Sequence, residues 1–295
     1  MAFCFAKSSY ELHFWGSFIK HLIFHERVRC FFLHSYGKLY AFMKKNLVAF
    51  IFFISSCSVF AKESVFRLFP IPDSLCLAGA VAAEISASCM PHPDRNSFSK
   101  SDINSFDRKF MHDYDFNLDV AGWVLIYSLA GGQLALNFTA ERDEWFTVLV
   151  MSVQTILISD SIKNFVKRSV GRERPYTYYS DYPDRADSSE SFMSGHSINS
   201  FAIASFSSYV FSQYYPDSSW KWCVTGAAFT LAGLTAYSRI PAGCHFVSDV
   251  VCGAVTGSAI GFLVPYLHKK AADRKNRNIP EIAVLPQGFS IRLNL

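Results

Sequence analysis

The sequence predicts an all-α protein, a membrane helical bundle of about five to six helices. Three observations predict it. The chain of 295 residues is 51% hydrophobic and 16% aromatic against 18% charged, which is apolar for a soluble globular protein. Five stretches of 15–19 residues (Val120–Phe138, Trp145–Ser159, Ser197–Tyr215, Trp222–Tyr237 and Val250–Leu267) contain no Asp, Glu, Lys or Arg. A bilayer needs roughly 20 such residues, so each is long enough to span with help from its ends. Between these stretches the charges gather in two seams, 160–196 and 238–249. The competing reading packs the same stretches as core helices of a soluble all-α protein, and their Ser, Thr and Gly content leaves it open.

Residues 1–42 look foreign to the rest. They are rich in Phe and hold His13, His21, His25 and His34, with neither helical nor strand periodicity. Met43 then opens "MKKNLVAFIFFISSCSVFAKES": Lys44 and Lys45, an apolar run Leu47–Ile54, and a small-residue exit at Val59-Phe60-Ala61. That is the order of a secretory signal peptide. Residues 43–61 are therefore expected to be the signal and residues 1–42 no part of the native protein. Ile54-Ser55-Ser56-Cys57 also resembles a lipoprotein box, which would make Cys57 a lipidated N-terminus. Either outcome places the chain beyond the cytoplasm, where disulfides are permitted. The five later cysteines are odd in number and lack C-x-x-C, so neither a zinc site nor a disulfide framework is indicated.

Residues 62–118 read as a periplasmic N-terminal region. Leu75–Met90 carries Glu84 in its middle and reads as an amphipathic or peripheral helix. Residues 91–118 read as a polar loop with a short helix near "INSFDRKF". The apolar stretches of 119–268 follow. The tail 269–295 opens "KKAADRKNR", strongly basic, and alternates apolar and polar residues from Phe289 as a short strand would. Sidedness follows by parity. The two seams are separated by one hairpin and share a side, and a basic tail belongs in the cytoplasm. Both seams then face the periplasm. A signal that leaves residue 62 outside gives the same answer, provided 75–90 does not span.

An ionisable cluster among apolar helices is expensive and is by default a functional site. Net charge is only +4, too little to suggest nucleic acid, and no G-x-x-x-x-G-K-S/T or G-x-G-x-x-G suggests a nucleotide. What the seams hold is a set for an anion. Lys167, Arg174 and Arg239 are three cations, two with the planar fork that suits phosphate oxygens. Ser194-Gly195-His196 opens an apolar helix, whose free N–H groups and dipole also favour an anion. His245 and Asp249 are four apart, hence expected on one face of one helix, where the carboxylate fixes the imidazole tautomer and sharpens the other nitrogen as a nucleophile. A second histidine without such a partner suits a general acid. Pro175 and Pro241 break helices beside these charges and bring them to helix ends.

Three motifs in order, Lys167-x6-Arg174-Pro175, Ser194-Gly195-His196 and Ser238-Arg239-x5-His245-x3-Asp249, resemble those of the type 2 phosphatidic acid phosphatase family. That family shares its site with vanadium haloperoxidases and bacterial non-specific acid phosphatases. The match departs once, with Met193 where the family has proline. The resemblance covers residues 120–267. It implies that His245 attacks phosphorus and carries a phosphohistidine, that Asp249 orients it, and that His196 protonates the leaving oxygen. Lys167, Arg174, Arg239, Ser194 and Gly195 would hold the phosphate oxygens, as phosphoryl transfer requires. No metal and no cofactor is implied.

The expectation is a bacterial inner-membrane lipid phosphatase with its phosphate pocket at the periplasmic helix ends. Its partners are a phosphorylated lipid and the bilayer, with no nucleic acid and no nucleotide. The alternatives are a soluble periplasmic acid phosphatase, a vanadate-dependent haloperoxidase, and a membrane scaffold whose seams only pair with each other. The Tyr-rich, acidic loop "YTYYSDYPDRADSSES" is expected either to shape headgroup choice or to be a solvated connector.

Overall fold

Helix-forming stretches with polar punctuation give a bundle in the computed structural model, which describes residues 64–93, 100–276 and two strands at 281–285 and 288–292. Residues 1–42, the expected signal 43–61 and Cys57 lie outside the described residues. The helices are α1 (Pro70–Cys89), the short α2 (Ser105–Lys109), α3 (Phe116–Asn137), α4 (Trp145–Val170), α5 (Gly195–Tyr214), α6 (Trp220–Ser238) and α7 (Val247–Asn276). The tail forms an antiparallel hairpin of β1 (Glu281–Leu285) and β2 (Gly288–Arg292), with Glu281 opposite Arg292.

Caps set several boundaries. Pro70 opens α1, Asp115 accepts the Leu118 N–H at the start of α3, and Asn104 accepts that of Asp107 at α2. Gly171 ends α4 in the left-handed conformation at φ 62°, so glycine rather than Pro175 stops that helix. Pro175 instead opens a 3₁₀ turn, Pro175–Tyr178.

The sequence of α5 explains its place. It carries small or apolar residues on every side, and His196 through Val210 contribute ten buried positions. A helix with so little polar surface belongs in the middle. Ile198, Phe206 and Val210 pack with Val148 and Met151 of α4 and with Ile260 and Val264 of α7. Ile203 and Ala204 pack with Leu129 of α3 and with Ala228 and Ala232 of α6. The tightest approach is to α7. A Cβ at Gly253 would stand 2.8 Å from the Ser194 carbonyl, and one at Gly257 or Gly261 would overlap the carbonyls of Ile198 and Ala202. Spaced four apart, these glycines let the two backbones meet.

Large apolar side chains instead cover the outside: Leu134, Phe138, Trp220, Trp222, Val255 and Leu267 are all exposed. A patch this extensive needs a non-aqueous partner. Three helical stretches, Phe116–Asn137, Arg142–Tyr178 and Val247–Arg274, are long and apolar enough to cross a membrane.

The region expected to be peripheral is a full member of the bundle. Along α1, Asp73, Leu77, Ala80, Glu84 and Ala87 are buried while Ile71, Leu75 and Ile85 face outward. Asp73 Oδ1 accepts from Gln154, Ser161 Oγ donates to the Ala80 carbonyl, Asn164 donates to Glu84 Oε1, and Arg168 donates to the Met90 carbonyl. So α1 runs parallel to α4 from end to end, about 30 Å for 20 residues. Glu84 reads as a defect in an apolar helix only until its partner on α4 is seen.

Candidate active site

Eight residues singled out by the sequence gather where α4 and α6 end and α5 and α7 begin. Lys167 lies buried in the last turn of α4, its Nζ donating to the Glu190 carbonyl at 2.7 Å. Past Gly171, Arg174 is fixed by the loop beyond it: Nε donates to the Asp187 carbonyl at 3.0 Å and Nη2 to Asp187 Oδ2 at 2.5 Å. Arg239 caps α6, is 2% exposed, and forks onto α3 with Nη1 on the Asp119 carbonyl at 3.0 Å and Nη2 on Asp119 Oδ1 at 2.6 Å. It lies directly over Gly122, where a Cβ would stand 2.6 Å from Nη1. Arg185 donates to the other Asp119 oxygen at 2.9 Å.

Ser194 is the N-cap of α5. Its Oγ accepts the Ser197 N–H at 3.4 Å, and its own N–H donates to the Asp249 carbonyl at 3.2 Å. The hydroxyl hydrogen of Ser194 and the N–H groups of the helix's first turn are the donors this corner offers an anion. Lys163 lies over Gly195, its Cδ 3.0 Å from where a Cβ would be. His196 follows, buried, with Trp123 of α3 edge-to-face against its ring at 4.4 Å between centroids. Arg239, Asp119 and Arg174 are its charged neighbours, and His245 is the other ring that acts on it.

His245 does not share a helix with Asp249, contrary to the expectation from their spacing. Helix α7 begins at Val247, and His245 stands in the turn before it, its N–H donating to the Arg239 carbonyl at 3.1 Å. The reason is local. Asp249 Oδ2 accepts the Phe246 N–H at 3.0 Å and so closes the first turn from inside. Gly243 makes the turn possible at φ 67°, packed so closely on the Asp113 carbonyl that a side chain would overlap it.

His245 Nδ1 is 3.7 Å from Asp249 Oδ2, with Ser191 Oγ beside both, at 3.5 Å from the imidazole and 2.5 Å from the carboxylate. The nitrogen turned away from this pair is Nε2. Burial, and then the charges of Arg174, Lys167 and Arg239, hold the His245 pKa well below its ordinary 6.5. At neutral pH the ring is therefore a free base, as a nucleophile must be.

Sequence reasoning missed the groups that hold these residues. Arg172 Nη1 donates to Asp249 Oδ1 at 2.5 Å and to Ser248 Oγ at 2.8 Å, Nη2 donates to Asp107 Oδ2 at 2.8 Å, and the guanidinium lies over the Phe246 ring at 4.0 Å. Asp119 and Asp187 each seat an arginine, and Ser191 bridges His245 and Asp249. The loop 176–191 is thus more than a solvated connector. Ser188, Ser189 and Ser191 are buried, and the loop carries the backs of Lys167, Arg174 and Asp249. The run Asp187-Ser188-Ser189-Glu190-Ser191, five acidic or hydroxyl residues in a row just ahead of Ser194-Gly195-His196, was the available signal.

The family model of the PAP2 superfamily matches residues 147–273. Lipid A 1-phosphatase of Porphyromonas gingivalis is 32% identical over 127 residues, covering 43% of this chain and 25% of that protein. Lipid A 4'-phosphatase of the same organism is 26% identical over 171 residues, covering 54% of this chain and 67% of that protein. The chain thus spans only a quarter of one curated relative and about two thirds of the other. A solved structure, the transmembrane PAP2 type phosphatidylglycerolphosphate phosphatase from Bacillus subtilis, is 21% identical with a TM-score of 0.35, covering 78% of this chain and 95% of that one.

Proposed function

We propose that this chain, whose residues 147–273 match the PAP2 superfamily model, is a membrane lipid phosphatase of the type 2 phosphatidic acid phosphatase family working through a phosphohistidine. One observation carries the proposal. His196 Nε2 and Arg239 Nε are buried nitrogens without a hydrogen-bond partner among the described residues, and Lys167 and Arg174 stand with them as buried cations. Buried polar nitrogens are nearly always bonded, so this corner is built to receive acceptor oxygens. A phosphoryl group supplies them.

In the proposed reaction His245 Nε2 attacks phosphorus in line with the ester oxygen. The P–N bond forms as the P–O bond breaks, and the developing charge on the equatorial oxygens falls on Lys167, Arg174, Arg239 and the first turn of α5. His196 gives its proton to the departing oxygen of the lipid. In the second half a water attacks the phosphohistidine, losing its proton to His196, and inorganic phosphate leaves with His245 free again. Asp249, steadied by Arg172 and Ser191, balances the cationic ring while phosphorus is attached. The buried cations do the work a metal ion does elsewhere, so the reaction proceeds in chelator.

The substrate class is a phosphomonoester or pyrophosphate of a lipid: phosphatidic acid, phosphatidylglycerol phosphate, a polyprenyl pyrophosphate or a lipid A phosphate. Sidedness rests on the basic tail. Because α1 traverses the bundle, residues 64–69 lie at the end opposite the site, where the Val65 and Phe66 N–H groups donate to Glu144. The proviso that 75–90 does not span therefore fails. A signal leaving residue 62 outside would now put the site in the cytoplasm, so the basic tail stands against that route. Helix α7 takes Lys269 and Lys270 to that same far end. With those cations in the cytoplasm the site opens on the periplasmic face of the inner membrane. The test is phosphate release from a panel of lipid phosphates by detergent-purified protein in EDTA, with and without vanadate. Release that persists in EDTA and stops with vanadate supports the proposal; release only from a water-soluble phosphomonoester overturns the lipid assignment.

A further inference from the structure

On the reading that His196 delivers the leaving-group proton, whatever carries that oxygen must lie against the side chains around His196. The nearest described ring is Trp123, 4.4 Å from the imidazole between centroids. Trp123 is 37% exposed and stands on α3 beside Val124, which is 51% exposed and faces outward. One turn along, Tyr127 lies 26° from parallel to the indole at a centroid separation of 5.7 Å. Rings that close to parallel at that separation are offset, so the two form one extended aromatic surface rather than a closed stack. The same helix face joins the phosphate pocket directly: Gly122 lies under Arg239, and Asp119, one turn before Trp123, holds that arginine.

We propose that Trp123 and Tyr127 are a platform for a sugar ring in the leaving group, so that the preferred substrate is a glycosyl phosphate lipid. A pyranose offers a face of C–H groups with partial positive charge, and the face of an indole is negative, so the two attract over a broad area. The glycerol carbon of a diacyl phospholipid has no such face. A Trp and a Tyr on an outer helix surface also serve as an interfacial anchor. An anchor has no need to touch the general acid, whereas a sugar bearing the departing oxygen must. The T-shaped contact, 73° between the ring planes, sets the His196 ring and the indole that carries the sugar at one fixed angle.

The test compares kcat/KM of the full chain in detergent on a diacylated glucosamine 1-phosphate and on a diacyl phosphatidic acid, for wild type, Trp123→Phe, Trp123→Leu and Tyr127→Leu. Leucine keeps the outer surface apolar, and elution on gel filtration reports the fold. The expected result is a wild-type preference for the glycosyl phosphate that falls about tenfold in Trp123→Leu, chiefly through KM, with a smaller fall in Trp123→Phe. Should Trp123→Leu not fold, the same loss of preference is expected in Tyr127→Leu. Equal losses on both lipids, or a wild-type preference for phosphatidic acid, overturn the platform and leave the phosphatase reading standing. Release from neither lipid overturns both.

Discussion

Arg172 reaches Asp249 across 2.5 Å, closer than the histidine that the motif spacing pairs with that carboxylate. The same guanidinium bonds Asp107 at 2.8 Å, and both carboxylates are wholly buried. One planar fork thus bridges two buried carboxylates, and Asp249 is held in place before any charge appears on His245. Removing one partner of a buried pair is far costlier than never having had the pair. Arg172→Ala is expected to lower stability by about 3–5 kcal/mol, read as thermal unfolding in detergent, and to lower kcat with it. Arg172→Lys should recover little, since a point charge cannot bridge both carboxylates. A melting temperature unchanged in Arg172→Ala would show that the fork is not what holds Asp249.

The contact between α5 and α7 brings His196 toward His245, so crowding it should affect activity through position. A Cβ at Gly257 would overlap the Ile198 carbonyl, which is backbone and has nowhere to rotate. Gly257→Ala is expected to destabilise by about 1–3 kcal/mol through overpacking and to weaken vanadate binding. Vanadate affinity, measured beside thermal unfolding, separates the two effects. Wild-type affinity in a destabilised variant would mean that the helices shift without moving the pocket.

The depressed pKa of His245 has two consequences with the same sign. The folded protein keeps the ring neutral where the unfolded chain, near 6.5, protonates it. Between those two values the unfolded state binds more protons, so stability is fully present above about 6.5 and falls as pH drops below it. Asp187 adds to this further down: burial raises its pKa, but Arg174, Lys167 and Arg185 outweigh burial and hold it below 3.8, and that contribution is lost as pH falls through the lowered value. Activity dependent on a neutral His245 should likewise keep its acid limb below 6.5. A kcat/KM profile of the purified protein checks this, and an acid limb at or above 6.5 would count against His245 as the buried free base.

The motif residues were legible because phosphoryl chemistry needs particular side chains at fixed offsets, and those offsets survive in a linear reading. Their supports were not, because each bond closes a long loop. Asp119 meets Arg239 across 120 residues, and Arg172 meets Asp249 across 77. A spacing of four read as a shared helix face misplaced His245, since nothing in the string says that Asp249 turns back to cap Phe246. The five long apolar stretches match α3 to α7. Helix α1 reads as amphipathic or peripheral in the sequence because Glu84 interrupts it; in the fold its buried face carries Asp73 and Glu84, whose partners Gln154 and Asn164 lie some 80 residues away.

Sidedness is open to direct measurement. Asp181 lies in the loop at the site end and Ser218 in the turn between α5 and α6 at the far end. With the site in the periplasm, a cysteine at 181 in a variant lacking the five later native cysteines should react with a membrane-impermeant maleimide in intact spheroplasts, and one at 218 only after permeabilisation. The reverse pattern would place the site in the cytoplasm.

The most direct measurement is to trap the covalent intermediate. Purified protein is quenched in alkali during turnover on a lipid carrying labelled phosphate, and the labelled residue is identified by mass spectrometry. Phosphate on His245, absent in His245→Ala and accumulating when His196→Ala slows its release, is the predicted result. Steady release of phosphate by wild type together with an unlabelled His245, or undiminished turnover by a folded His245→Ala, would contradict histidine as the nucleophile.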